Sequence, residues 1–101
     1  MGRKVIISLS AESDLSDIVA YVARHNRDAA LRLGNALIAR AEFLGHFAEI
    51  GRVVPEYGRA ELREITYRSY RIINRVHKER QVLEIVRFWH AARGFPQIPA
   101  T

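Results

Sequence analysis

The sequence predicts an α+β domain, in which an antiparallel helical hairpin covers one face of a four-stranded sheet. Apolar residues recur with a helical period across residues 11–44, and short β-branched runs lie before and after that segment. Gaps of hairpin size separate the last three of these runs. The predicted order is therefore an N-terminal strand, two helices and a three-stranded antiparallel meander.

The first strand and the first helix are predicted from "RKVIISLS" and the residues after it. The run at residues 3–10 is short, apolar and β-branched, which is typical of a strand. Ser10 is a suitable N-cap, and Glu12 and Asp14 would interact favourably with the helix dipole. A helix over 11–24 is then indicated by the spacing of Leu15, Ile18, Val19 and Val22.

The second helix follows the break "HNRD" at residues 25–28, where Asp28 is the predicted cap. It ends near Gly45. A connection of this length between two helices predicts an antiparallel hairpin. The apolar seam of the second helix consists of Ala30, Leu33, Leu37, Ala41 and Leu44.

The C-terminal half is predicted to be a loop followed by three strands. Residues 46–60 contain several glycine and proline breaks and show no steady period, so we expect a loop. Strands are expected at residues 61–66, 70–76 and 81–89. We expect a single domain over residues 1–95, because 101 residues suffice for one compact domain, and an irregular tail over 96–101.

The charge of the chain indicates an anionic partner. The net charge is +5, and fourteen of the sixteen basic residues are arginine. The arginine side chain offers a rigid fork of donors that suits phosphate and carboxylate groups. A nucleic acid or an acidic protein surface would fit this composition, although an arginine-rich solvated surface is an equally good interpretation.

The register of the last hairpin predicts which side chains lie together. A tight turn centred on residues 79–80 places Arg75 opposite Glu84, a favourable cross-strand pair. The same register places Ile73 opposite Val86 and Arg71 opposite Phe88. Arg71 and His90 would then project from one face as a unit, while Tyr70, Ile72, Val76, Leu83, Ile85 and Trp89 would occupy the other face.

Four segments resemble one known family. "SAESDLSDIVAYVARHN", "GRVVPE", "LREITYRSYRIINRV" and "VLEIVRFWHAAR" are similar to toxins of the RelE/ParE superfamily, the toxic halves of type II toxin–antitoxin modules. Such toxins are often called plasmid stabilisation proteins. The resemblance covers about residues 4–94, is closer to the ParE-like branch, and implies the RelE/ParE-like fold.

The resemblance implies growth inhibition by one of two activities. ParE-like members poison DNA gyrase, whereas RelE-like members cleave mRNA in the ribosome. Both kinds are neutralised by a cognate antitoxin, which implies a hetero-oligomer. The leading expectation is a gyrase poison; a ribosome-dependent mRNA endoribonuclease and a non-toxic basic binding module are the alternatives.

The two activities would use different residues. Cleavage would need a base and cations around the phosphate. Arg71, His90 and Glu64 resemble this set, with Glu56 as an alternative carboxylate. Gyrase binding would instead use a basic surface without a catalytic set, consisting of Arg59, Arg63, Arg71, Arg87 and Arg93.

Other residues and segments complete these expectations. Trp89 is expected in the core, and the apolar side chains Tyr21, Leu31 and Ile38 could form part of an antitoxin groove. The histidines lie on four separate elements and there is no cysteine, so we expect no metal and no cofactor. The N-terminus resembles neither a signal peptide nor a membrane span, which favours a cytoplasmic protein.

Overall fold

The structure, a computed structural model, describes residues 2–99. Two helices follow the first strand, and the remaining strands come after them, as the sequence predicts. The elements are β1 (Lys4–Ile7), α1 (Leu9–Ala23), α2 (Arg27–Leu44), β2 (Arg52–Val53), β3 (Leu62–Tyr67), β4 (Tyr70–His77) and β5 (Val82–His90), followed by a 3₁₀ turn (Ala91–Arg93).

The strands form one five-stranded sheet in the order β1-β5-β4-β3-β2. β1 pairs with β5 in parallel, and the other pairs are antiparallel. The predicted α+β class is therefore confirmed, with one strand more than expected.

The additional strand, β2, lies in the segment predicted as a loop. It is two residues long and pairs with β3. A Cβ on Gly51, the residue before it, would lie 2.7 Å from the carbonyl oxygen of Glu64. Only glycine allows this close approach, so the break in the sequence pattern at Gly51 reflects strand pairing rather than a loop.

Both helices begin earlier than predicted. Ser8, not Ser10, caps α1 and accepts the N–H of Ala11 at 3.1 Å. Parallel pairing with β5 ends at Ile7, and the Ser8 hydroxyl donates to the carbonyl of Val86 at 3.2 Å, so the chain leaves the sheet at Ser8. Asn26, not Asp28, caps α2, because its side chain accepts the N–H of Ala29 at 3.0 Å.

The sheet separates two apolar clusters. The larger lies under the helices and joins α1 and α2 to the strands; its buried members include Leu37, Leu44, Ile72, Leu83, Ile85 and Phe88. The smaller lies on the opposite face and consists of Val54, Leu62, Ile73, Val86 and Trp89, with Tyr57 and Ile98 packed against it. We refer to these two sides as the helix face and the open face.

A β-bulge corrects the predicted register of the last hairpin. Arg75 does lie opposite Glu84, as expected, but Asn74 pairs with Ile85 and Ile73 pairs with Arg87. Val86 is thus the extra residue, and beyond it every β5 side chain lies on the other face from the one predicted.

The bulge separates the residues that were predicted as a unit. Arg71 lies opposite Trp89 rather than Phe88, and His90 lies opposite Tyr70. The predicted pairing of Arg71 with His90 on one face is therefore wrong. Trp89 is 2% exposed and belongs to a core, as expected, but to the cluster on the open face.

Residues 94–98 pack on the open face without helix or strand, and residues 100–101 of the predicted tail lie outside the described residues. The Tyr57 hydroxyl donates to the carbonyl of Pro96 at 2.7 Å, and Pro96 is fully buried. Ile98 packs against the smaller cluster, and the indole N–H of Trp89 donates to the carbonyl of Gly94 at 3.1 Å. Residues 94–98 therefore cover part of the sheet that the helices leave bare.

Candidate functional site

Arg71 is the centre of an ion network on the open face. Its Nε donates to Glu64 Oε1 at 2.5 Å, and its two Nη atoms donate to the Glu56 carboxylate at 2.8 and 2.7 Å. The second oxygen of Glu64 accepts from Arg52 Nε at 2.7 Å. The Arg71 side chain is 10% exposed and that of Glu64 is 0% exposed, so the central pair is buried.

The network holds its members in their charged forms. The hydrogen bonds from Arg71 lower the pKa of Glu56 to about 2, against the opposing effect of burial. The same bond to Glu56, together with the contact with Glu64, raises the pKa of Arg71 further above its ordinary value. Glu56 is therefore a carboxylate over the whole physiological range and a weak proton acceptor.

The geometry gives this network a structural role. Glu64 lies on β3, Arg71 on β4 and Glu56 on the loop after β2, so the three side chains join separate segments on the open face. Every nitrogen of the Arg71 guanidinium already donates to a carboxylate oxygen. The two carboxylates neutralise its charge, and only 10% of the side chain is exposed, so little of Arg71 is accessible to a substrate phosphate.

His90 lies on the other side of the sheet, at the end of β5. Its Nδ1 accepts the N–H of Ala92 at 3.0 Å, which caps the 3₁₀ turn. A neutral imidazole that accepts at Nδ1 carries its proton on Nε2. The ring packs edge-on against Tyr70 with 5.1 Å between centroids, and it lines two neighbouring cavities of about 500 Å³ each.

Arg87 is held by a buried partner from α1. Its Nε and Nη2 donate to the two oxygens of Asp14 at 2.7 and 2.6 Å, and its Nη1 donates to the carbonyl of Gln97 at 2.9 Å. Asp14 also accepts the N–H of Phe88 at 3.1 Å. The sequence position of Asp14 in the first helix predicted only a favourable interaction with the helix dipole. Its partner Arg87 lies 73 residues away, so the local pattern gave no sign of this ion pair.

The remaining predicted arginines differ in whether their guanidinium groups are hydrogen-bonded to other groups of the chain. Arg63 donates to the carbonyls of Ala60 and Gly51, at 3.1 and 3.0 Å. Arg59 forms an exposed pair with Glu61 at 3.1 Å. Arg93 is exposed, and its guanidinium lies 3.8 Å from the centroid of the Trp89 ring.

Two arginines that were not predicted as site residues line one of the two cavities beside His90, which we call the first cavity. Arg32 on α2 and Arg68 in the β3–β4 turn form its walls together with Ser69 and Tyr70. Arg68 has a φ of 54°, in the left-handed region that favours glycine or asparagine. Two-residue hairpin loops usually contain glycine or asparagine, and this loop consists of Arg68 and Ser69. That departure in the sequence could have drawn attention to the turn.

The apolar residues expected in an antitoxin groove are partly accessible. Tyr21 is 63% exposed and Leu31 is 60% exposed, whereas Ile38 is half-buried.

Within residues 2–99, no group of three metal-ligating side chains comes together. In the same range, neither helix combines the length and the hydropathy that a membrane span requires.

Comparisons with known proteins agree with this fold. A chain in the structure described as the chromosomal ParDE toxin–antitoxin system from P. aeruginosa superposes with a TM-score of 0.71 at 20% identity, over 87% of this chain and 95% of that chain. A chain of the RelBE2 toxin–antitoxin complex from Mycobacterium tuberculosis superposes with a TM-score of 0.67 at 19% identity, over 89% and 92%. No curated protein sequence matches significantly.

The family follows from the sequence match itself. The model of the family described as "ParE toxin of type II toxin-antitoxin system, parDE" matches residues 5–95, which is nearly the whole chain. The order of strands and helices and the two structural likenesses are consistent with that match. The chain therefore belongs to the ParE toxin family of type II toxin–antitoxin systems.

Proposed function

We propose that this ParE-family toxin inhibits growth by poisoning DNA gyrase, and that a cognate antitoxin neutralises it in a hetero-oligomer. The observation that carries the choice of gyrase over mRNA is the separation of the candidate nuclease residues. Arg71 and Glu64 are bonded to each other on the open face, while His90 lies on the helix face.

Cleavage through a ribose hydroxyl needs a base and a cation on the same phosphodiester. Glu64 is fully buried and both of its oxygens accept from arginines. His90 has its Nδ1 occupied, and its Nε2 proton makes the neutral ring a donor rather than a base. This arrangement favours a toxin that acts by binding.

A gyrase-binding surface needs exposed cations that are not neutralised by neighbouring carboxylates. Of the five predicted arginines, Arg93 meets this requirement best, because it is exposed and lies on an aromatic ring rather than against an acid. Arg59 is exposed but paired with Glu61. The end of β5 and the turn after it are therefore the favoured contact with gyrase.

The proposed antitoxin partner would cover apolar surface that the helical hairpin leaves exposed. Tyr21 and Leu31 are the accessible candidates. An amphipathic helix or an added strand of the antitoxin could bury such side chains.

The experiment induces the chain alone in bacteria and follows growth, nucleoid morphology and transcript integrity. In parallel, purified protein is added to gyrase with supercoiled DNA to measure cleavage complexes. We expect growth arrest, DNA damage signalling and cleaved DNA. Rapid transcript cutting with unaffected gyrase would contradict the proposal and favour the nuclease, and unimpaired growth would contradict both.

Variants separate binding from catalysis. Arg93→Ala should weaken gyrase inhibition, whereas Arg80→Ala, which removes an exposed charge in the β4–β5 turn at the other end of β5, should not. Transcripts should be equally intact after induction of the parent protein and of His90→Ala, because His90 is not a nuclease residue under this proposal. Co-purification with the product of the neighbouring gene tests the antitoxin, and failure of the two proteins to associate would contradict that part.

A further inference from the structure

The first cavity beside His90 has the composition of an anion site. No carboxylate lines it, and its polar side chains are those of Arg32, Tyr67, Arg68, Ser69, Tyr70 and His90. Its volume of about 500 Å³ lies within the range of small-molecule sites. The cavity on the other side of the His90 ring differs, because Asp14 and Asp17 line it.

The two cavity arginines carry uncompensated charge. Within residues 2–99, neither Arg32 nor Arg68 has a carboxylate oxygen within 4.0 Å, in contrast with Arg71 and Arg87. The guanidinium of Arg68 instead lies 5.5 Å from the centroid of the Tyr67 ring, whose other close cation is Arg40 at 5.0 Å. Several positive charges are thus concentrated at this end of the molecule.

The other polar groups of the cavity are suited to donate hydrogen bonds. Burial raises the pKa of Tyr70 above its ordinary value, so its hydroxyl stays protonated at neutral pH and can donate. Because Nδ1 of His90 accepts from Ala92, its Nε2 carries the proton of the neutral ring. Ser69 adds a hydroxyl that can donate.

The backbone holds the cavity wall in place at a conformational cost. Arg68 adopts a positive φ of 54°, where a glycine would be less strained. The carbonyl of Ser69 accepts the N–H of Ala91 at 2.8 Å, which ties the turn to the end of β5 next to His90. The positive φ, which tight hairpin turns commonly require, and the bond to β5 together fix the position of this cavity wall.

We propose that this cavity binds a small phosphate-bearing ligand, a phosphate monoester of up to mononucleotide size, through Arg32 and Arg68 with the Ser69, Tyr70 and His90 donors. Two guanidinium groups match the charge of a phosphate dianion. The three further donors suit the three terminal oxygens of a phosphate monoester better than the two oxygens of a carboxylate. The volume of the cavity suits a small molecule of up to mononucleotide size. The inference goes beyond the proposed action on gyrase and does not depend on it.

The test titrates the purified chain with inorganic phosphate, adenosine 5′-monophosphate and adenosine at constant ionic strength, by calorimetry and by amide chemical shifts. We expect both phosphate compounds to bind and to shift the amides of Ser69 and Ala91, and adenosine not to bind. Arg32→Ala should weaken binding by about tenfold or more, the loss expected for a charge-assisted contact.

Arg68→Gly distinguishes lost binding from lost folding. Glycine relieves the positive φ, so the variant should be at least as stable as the parent protein while its affinity for phosphate falls by about tenfold or more. Arg80→Ala is the matched control for net charge and should bind as the parent does. Arg68→Lys should recover only part of the affinity, because lysine lacks the donor fork.

Three outcomes would overturn the inference. These are equal loss of affinity in Arg80→Ala, tighter binding of an acidic peptide than of phosphate, and binding of an oligonucleotide without terminal phosphates in preference to the monoester. The first would indicate a nonspecific charge effect, the second a carboxylate site and the third a nucleic-acid surface.

Discussion

Replacing Arg71 with methionine tests whether the network on the open face is structural. Methionine keeps an unbranched apolar stem but removes all of the hydrogen bonds to Glu56 and Glu64. Glu64 would remain fully buried, with only the 65% exposed Arg52 side chain as its partner. Removal of one member of a buried ion pair destabilises a protein by about 3–5 kcal/mol.

The structure places the expected loss near the lower end of that range. Arg52 still neutralises part of the Glu64 charge, and Glu56, at 25% side-chain exposure, is partly hydrated when its partner is lost. We therefore expect the free energy of unfolding to fall by about 3 kcal/mol. That is a large part of the roughly 5–15 kcal/mol that stabilises most domains.

The assay is urea unfolding at neutral pH, followed by circular dichroism. Arg59→Met is the matched control, because its pair with Glu61 joins side chains that are 66% and 44% exposed and should contribute less than about 1 kcal/mol. The double variant Arg71→Met/Glu64→Leu should recover much of the loss, since no buried charge is left unpaired. A loss in Arg71→Met no larger than in the control would refute the reasoning.

Three further predictions follow from other contacts. Stability should fall as the pH drops from about 4.5 to about 2, because the lowered pKa of Glu56 favours the folded state only while its carboxylate is charged; Glu56→Gln should flatten this part of an acid titration. Gly51→Ala should destabilise the chain by about 1–3 kcal/mol in thermal unfolding, since the added methyl would overlap a β3 carbonyl. Truncation after Gly94 should shift the fluorescence of Trp89 to the red, because residues 95–98 no longer shield the indole.

Each of these predictions has its own control. Glu61→Gln, at an exposed pair, should leave the acid titration unchanged, and an equal effect in both variants would argue against a special role for Glu56. Gly58→Ala separates backbone strain from overlap, since a Cβ there meets nothing within 4 Å at a φ of +62°. An unshifted emission in the truncated chain would mean that the tail does not cover Trp89.

Much of the fold could be predicted because local patterns determine it. The apolar period of α1 and α2 and the alternation in β3, β4 and β5 reflect which side chains face a core, whatever lies in that core. Element boundaries were predicted to within a few residues. The predicted start of α1 was two residues too late, because Ser8 and Ser10 are both good caps. Only the end of the β1–β5 pairing selects Ser8.

The candidate site was less predictable, because it depends on contacts between distant segments. Val86 lies inside a continuous apolar run, so nothing local marks it as a bulge. One extra residue there reverses the face of Trp89 and His90 and separates His90 from Arg71. The acidic partners of Arg71 and Arg87 were equally hidden, since Glu56 and Asp14 lie 15 and 73 residues away from them.

The α+β class, the order of the elements, the basic charge and the resemblance to ParE-like toxins could all be inferred from the sequence, because these depend on periodicity, composition and motif order. Which arginines are free could be seen only in the folded chain. Most of the predicted binding arginines are bonded to carboxylates or main-chain carbonyls, whereas Arg32 and Arg68 line a cavity without acids. The charge of a residue is encoded locally, but whether that charge is neutralised depends on which side chains folding brings within hydrogen-bonding distance.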